Sequence, residues 1–168
     1  MRVKLSLLSL LVGCLSLWLA GGAAAQTADG LHLKVYKSPT CGCCTAWMDH
    51  LEAAAIDSEG LHPPDMGQLK QALGIPVRYG SCHTAVSPAG YVFEGHVPAR
   101  YIRQFLDAPP ADALGLTVPA MPVGSPGMEY QNRFMPYDVL LLKKDGSVEV
   151  FASVRRYEQQ FSESALGQ

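Results

Sequence analysis

Charge is scarce in this chain. Its 168 residues carry 13 Lys and Arg against 15 Asp and Glu, a formal net of −2, and only 17% of residues are charged. No basic stripe exists that could neutralise a nucleic-acid backbone, so that class of partner is excluded. Internal repeats and low-complexity segments are absent after the first 25 residues, which argues against solenoids and disordered linkers. The sequence has no glycine-rich phosphate loop, no G-x-S-x-G nucleophile elbow and no metalloprotease helix motif. At 48% hydrophobic, it has enough apolar material for one domain with a real core.

The one long apolar run lies at the N-terminus. "MRVK" supplies positive charge, "LSLLSLLVGCLSLWLAGG" is apolar, and "AAAQ" closes with a small-residue A-x-A pattern. This is the layout of a secretory signal peptide over residues 1–25, cleaved after Ala25, and it leaves residues 26–168 as a single domain. "LVGC" (Leu11 to Cys14) also resembles a bacterial lipobox, so lipidation at Cys14 is the minor alternative. Soluble export to the periplasm of a Gram-negative cell is preferred, because the apolar run continues past Cys14. On that reading the mature chain touches no membrane unless Cys14 is lipidated. Loss of Arg2 and Lys4 brings the mature net charge to −4.

Cysteine is also sparse, five in all, but it is concentrated. Without Cys14 the set is Cys41, Cys43, Cys44 and Cys82, three of them within "TCGCC". Adjacent cysteines pair only through a distorted peptide, and only Cys82 is distant, so this is not a disulfide scaffold. Cys41 and Cys44 have the spacing of a redox pair. Cys43 adds nothing to thiol–disulfide exchange, where it would offer a wrong pairing, but an extra thiolate adds a ligand to a soft metal and can bridge two ions. The stretch is expected to open a helix near Cys43 or Cys44, whose free N–H groups and dipole favour thiolate.

The elements around it follow from periodicity. "LHLKVY" alternates as a strand, with Leu31, Leu33 and Val35 on one face. Trp47, Leu51 and Ala54 mark the buried side of the helix after the cysteines. A weak strand covers Ser58 to His62, and Pro64, Asp65 and Gly74 bracket a second helix. "CHTAVSPAGYVFEGHVP" reads as two short strands joined at Ser87 to Gly90. "PARYIRQFLDA" is amphipathic, with Tyr101, Ile102, Phe105 and Leu106 inward. Residues 108–136 read as a long irregular Pro/Gly/Met-rich loop, a length that is uncommon without a function. "YDVLLLKKDGSVEVFASV" is a hairpin around Asp145-Gly146. The expected fold is therefore α/β: a thioredoxin-like sandwich with an inserted hairpin, the long loop, and a final β-hairpin. In such a fold Pro119 or Pro122 is a candidate for a cis peptide bond facing the cysteines.

Beside Cys82 stands His83, and four thiolates with an imidazole make a complete soft-metal set. Met121, Met128 and Met135 lie in the irregular loop, where core filling does not explain them well, and thioethers select Cu(I). His96, just before a helix, reads first as a polar terminal residue, with a metal ligand or an outer donor to one as the alternatives. His32, His50 and His62 are set aside.

Taken together, "SPTCGCCTAWMDHL", "SCHTA", "GYVFEGHVPA", "GLTVPAMPVGSPGME" and "YDVLLLKKDG" resemble the CopG-type copper proteins, exported bacterial proteins associated with copper resistance. The resemblance runs from Val35 to Phe151. It implies a thioredoxin-like fold and a periplasmic copper site on Cys41, Cys43, Cys44 and Cys82, with His83, Met121 and Met128 as further ligands. Added to that, four thiolates with many bridging options make Cu(I) binding in a multinuclear thiolate cluster, with redox activity, the expected function in copper homeostasis. Its partners would be copper ions and other periplasmic copper-handling proteins. The alternative from the residues themselves is a thiol–disulfide oxidoreductase using Cys41 and Cys44. Zinc and iron–sulfur fit the cysteines but leave the methionine loop unexplained.

Overall fold

The computed structural model describes residues 30–161, so the signal-peptide reading and Cys14 lie outside the described residues. The elements are β1 (His32–Tyr36), α1 (Gly42–Ala53), β2 (Asp57–Leu61), α2 (Met66–Ala72), β3 (Thr84–Val86), β4 (Val92–Glu94), α3 (Ala99–Asp107), β5 (Ala113–Thr117), β6 (Tyr137–Lys143) and β7 (Val148–Val154). Short 3-10 turns at Val77–Tyr79 and Tyr157–Gln160 complete the set.

The seven strands form one mixed sheet in the order β2-β1-β3-β4-β5-β6-β7. β1 pairs parallel with β2, and Val35 faces Gly60. β3 runs antiparallel to both β1 and β4, as the tight turn between them requires. β4 then pairs parallel with β5 across the α3 connection, and β5, β6 and β7 continue antiparallel. Leu33, Val35, Trp47, Leu51, Ile56, Phe93, Ile102, Phe105, Leu116 and Val139 are fully buried, so α1, α3 and the sheet share one core. The apolar spacing of α1 and α3 has the period a helix needs to bury one face.

Two expectations need correction. The stretch 108–136 is not one loop, because β5 lies inside it and occupies a central place in the sheet. "ALGLT" lacks the alternation of a half-solvated strand because the strand is nearly buried throughout, and Gly115 lies so close under the Val92 backbone that no side chain fits. The second correction concerns proline. No cis peptide bond occurs among the described residues, so neither Pro119 nor Pro122 has one. The remaining irregular part, 118–136, folds back over the start of α1 instead. Gly127, at φ +82°, approaches so closely that a Cβ there would lie 2.6 Å from the Cys43 carbonyl oxygen and from the Trp47 nitrogen.

A candidate metal centre

The cysteines sit where β1 hands over to α1. Lys37, Ser38 and Pro39 end the strand, and the Cys41 amide donates to the Ser38 carbonyl (3.1 Å) to close the turn. Cys41 is the N-cap of α1, and Cys43 and Cys44 lie in its first turn. Cys41 and Cys44 are joined as a disulfide with their Cα atoms 5.4 Å apart, while Cys43 and Cys82 are free. Cys44 is fully buried, whereas the other three cysteines are partly open.

Cys82 arrives from the other side, on the segment that leads into β3. Its Sγ lies 4.0 Å from Cys43 Sγ, and Cys43 Sγ lies 3.5 Å from Cys41 Sγ. One donor atom from each of the four cysteines falls within 4.8 Å of the others. A second set overlaps it, because Cys82, His83 and His96 also bring their donor atoms within 4.8 Å of one another. Cys82 is the residue common to both.

The two histidines are wholly buried. His96 Nδ1 is 2.7 Å from the Pro126 carbonyl oxygen, which can only accept, so Nδ1 carries the proton. Its Nε2 lone pair then faces Cys82 Sγ at 3.1 Å, a tautomer fixed in the way second partners fix metal-binding imidazoles. His83 Nδ1 lies 3.2 Å from the same sulfur. The His83 ring packs on Trp47 with centroids 4.4 Å apart and edge-on to His96 at 4.9 Å. His83 Nε2 is buried with no hydrogen-bond partner among the described residues. A buried polar atom left in that state costs about 1–3 kcal/mol.

Electrostatics keeps these groups uncharged. Burial, reinforced by the neighbouring His96 and by Lys70, holds His83 well below the usual imidazole range. Burial also lowers His96. Both rings are therefore neutral at pH 7 and have lone pairs to offer. Burial, with the neighbouring Cys43 sulfur next, pushes the Cys82 thiol up to about 12. Cys82 is thus a protonated thiol at neutral pH, and a bound metal would have to displace its proton.

Among the sequence-derived candidates, Cys41, Cys43, Cys44, Cys82 and His83 come together. Met121 is about half exposed at 48%, and Met128 is partly buried. None of the sulfur–sulfur and sulfur–nitrogen contacts above involves either methionine. Met128 contributes through its backbone, which closes the turn carrying Pro126 by accepting from the Gly124 amide (2.8 Å) and donating to Ser125 (2.7 Å). His96, read from the sequence as a terminal polar residue, belongs to the centre. The available signal was a histidine in "EGHVP" flanked by apolar and turn residues, a setting that buries it. His50 lies apart from the cysteines, and its Nε2 accepts the Ala99 amide at 3.0 Å.

Residues 79–128, which hold Cys82, His83, His96, Met121 and Met128, match the family described as "Protein of unknown function, DUF411". No curated protein matches the chain significantly. Two solved structures do, both of a protein named copper resistance protein copG. Form 1 is 41% identical, with a TM-score of 0.70, over 75% of this chain and 98% of that one. Form 2 is 41% identical, with a TM-score of 0.71, over 75% of this chain and 99% of that one.

Proposed function

This chain belongs to the family of copper resistance protein copG, and from that premise we propose that it holds Cu(I) in a multinuclear cluster bridged by Cys41, Cys43, Cys44 and Cys82. The observation that carries the reading is the convergence of four sulfur donors within 4.8 Å, with His83 Nδ1 3.2 Å and His96 Nε2 3.1 Å from the Cys82 sulfur. Soft thiolates and neutral imidazoles are the donors Cu(I) prefers. His83 and His96 serve as nitrogen ligands, and the partly buried Met128 is a thioether candidate ahead of the more exposed Met121. A dithiol reductant gives the Cys41–Cys44 bond two electrons and two protons, becoming a disulfide itself and leaving two thiols here, and only then do all four sulfurs serve as ligands. Copper loading is thereby coupled to the thiol redox state. The protein works in copper resistance, in the periplasm after removal of residues 1–25, and exchanges copper with other copper-handling proteins there. The order β2-β1-β3-β4, with β1 and β2 parallel and β3 and β4 antiparallel, supports a thioredoxin-like first half. Metal analysis of protein purified without oxygen tests the reading. Copper in excess of one equivalent, with thiolate-to-metal absorption, is expected, and zinc in its place would overturn it.

A second reading has its own observation. The Cys41–Cys44 disulfide caps a helix, with Cys44 buried and Cys41 partly open, as in a pair whose outer sulfur attacks and whose inner sulfur resolves. A thiol–disulfide oxidoreductase of this kind would reduce insulin with activity lost in Cys44→Ser and kept in Cys43→Ser and Cys82→Ser. Loss in all three, or no activity at all, counts against it.

A further inference from the structure

Cys82 and His83 lie on a short connection between a 3-10 turn and a three-residue strand, a weak support for two donors. The residues that flank them, however, converge on one side chain. Glu94, on the adjacent β4, is fully buried. Its Oε1 accepts the backbone amide of Ser81 (2.6 Å), the residue before Cys82. Its Oε2 accepts the hydroxyl of Thr84 (2.5 Å), the residue after His83. Lys70 reaches from α2 to bond both Glu94 Oε1 and the Thr84 hydroxyl, the latter at 3.0 Å. The Lys70 side chain is only 16% exposed, so the ion pair is largely screened from water.

The rest of the bracket is backbone. The Gly95 amide donates to the His83 carbonyl (2.9 Å), and the Ser81 hydroxyl donates to the Ala120 carbonyl. Gly95, at φ +73°, lies so close that a Cβ would meet the Ser81 side chain at 2.6 Å. α2 buries none of its residues fully, so packing alone does not account for its position. A buried ion pair is a poor source of net stability compared with apolar residues of the same shape, so its presence here calls for another role.

We propose that Lys70 and Glu94 form a positioning clamp that fixes the Cys82–His83 donor pair against Cys43, and thereby sets the affinity of the cluster for Cu(I). Neither residue touches the metal. They act by holding Ser81 and Thr84, the two ends of the segment, to one carboxylate. The effect on copper rests on the proposed function, whereas the effect on the segment itself does not.

Two measurements separate these. In the metal-free, disulfide-bonded protein on a Cys43→Ser background, Cys82 is the only free thiol among the described residues, and its alkylation rate reports how firmly the segment is held. Glu94→Gln, Lys70→Met and Thr84→Val are each expected to speed that rate by about fivefold or more, as local opening becomes easier. Lys70→Arg, which keeps the charge and two donors, is expected to stay within about twofold of wild type, on the same local-opening measure. On the Cys43-containing protein, competition with a Cu(I) chelator of known affinity is expected to show about 10–100-fold weaker binding in Glu94→Gln and Lys70→Met, the usual cost of removing an outer partner of a ligand. Thr84→Val, nearly isosteric and missing the hydroxyl's bonds to Glu94 and Lys70, carries both tests should the charge variants fail to fold. Wild-type alkylation rates in folded variants overturn the clamp. If wild-type protein takes up no Cu(I), the function fails, and the alkylation rates alone decide the clamp. Altered alkylation with unchanged copper affinity also overturns the proposal, since the segment would then be held for no effect on the cluster.

Discussion

Gly127 is the point at which the irregular loop is pressed against the cysteine helix, and replacing it with alanine isolates that contact. Two costs arise. An L-residue at φ +82° sits in the left-handed region, at about 1–2 kcal/mol. The new Cβ would also stand 2.6 Å from two backbone atoms, Cys43 O and Trp47 N, and 3.0 Å from Trp47 Cα. Backbone atoms in the first turn of a helix cannot swing aside as a side-chain tip can, so the loop has to lift. That adds about 1–3 kcal/mol of overpacking, for a total of about 3 kcal/mol. Gly90 supplies the control, because its φ is +85° and a Cβ there meets nothing within 4 Å, so Gly90→Ala carries the conformational cost alone, about 1–2 kcal/mol. Urea unfolding of the two variants and the wild type measures both. Lifting the loop also moves the Pro126 carbonyl from His96 Nδ1, so Gly127→Ala is expected to weaken Cu(I) binding while Gly90→Ala leaves it unchanged. Equal destabilisation by the two substitutions would refute the steric reasoning.

Two further predictions rest on single groups. Burial lowers His50 to about 4 from an ordinary imidazole value of 6.5, so the unfolded chain binds the proton first as pH falls. The stability this ring contributes is complete above pH 6.5 and is lost progressively down to pH 4, by about 3 kcal/mol in all. In metal-free protein the stability gap between wild type and His50→Gln should therefore shrink by that amount between pH 7 and pH 4, and a gap that is constant with pH contradicts it. His83 and His96 are depressed in the same direction and cancel in this difference. Asp65 caps α2 by accepting the Gln68 amide at 2.9 Å, so Asp65→Ala should cost about 1 kcal/mol in urea unfolding. Because α2 carries Lys70, the same substitution should raise hydrogen exchange in α2 before it does so in β6.

The parts of the fold legible in the sequence are those with a strong local signal. α1 and α3 bury one face at helical spacing, Asp145-Gly146 turns the β6–β7 hairpin, and Gly74 ends the α2 segment at φ +77°. β5 was not legible because its neighbours on both sides remove the polar alternation, and Gly115 is demanded by a strand that is distant in sequence. At the site, the clustering of Cys41, Cys43 and Cys44 was visible because all three belong to one turn. The approach of Cys82 to Cys43 depends on β3 pairing with β1, and a sequence does not print that register. His96 was ranked low for a related reason: its place follows from burial beside Cys82 and from the Pro126 carbonyl, 30 residues away. Glu94 and Lys70, separated by 24 residues, gave no local sign of their pairing. Met121 was singled out by residue type alone, and the structure leaves it half exposed.

Cys82 is expected to join Cys41, Cys43 and Cys44 in one copper-binding unit. Anaerobic titration of the fully reduced protein with Cu(I), followed by thiolate-to-copper absorption and mass spectrometry, tests it most directly. Saturation above one equivalent is expected, with a lower endpoint in Cys82→Ser. A sharp endpoint at one equivalent that Cys82→Ser does not change would contradict it.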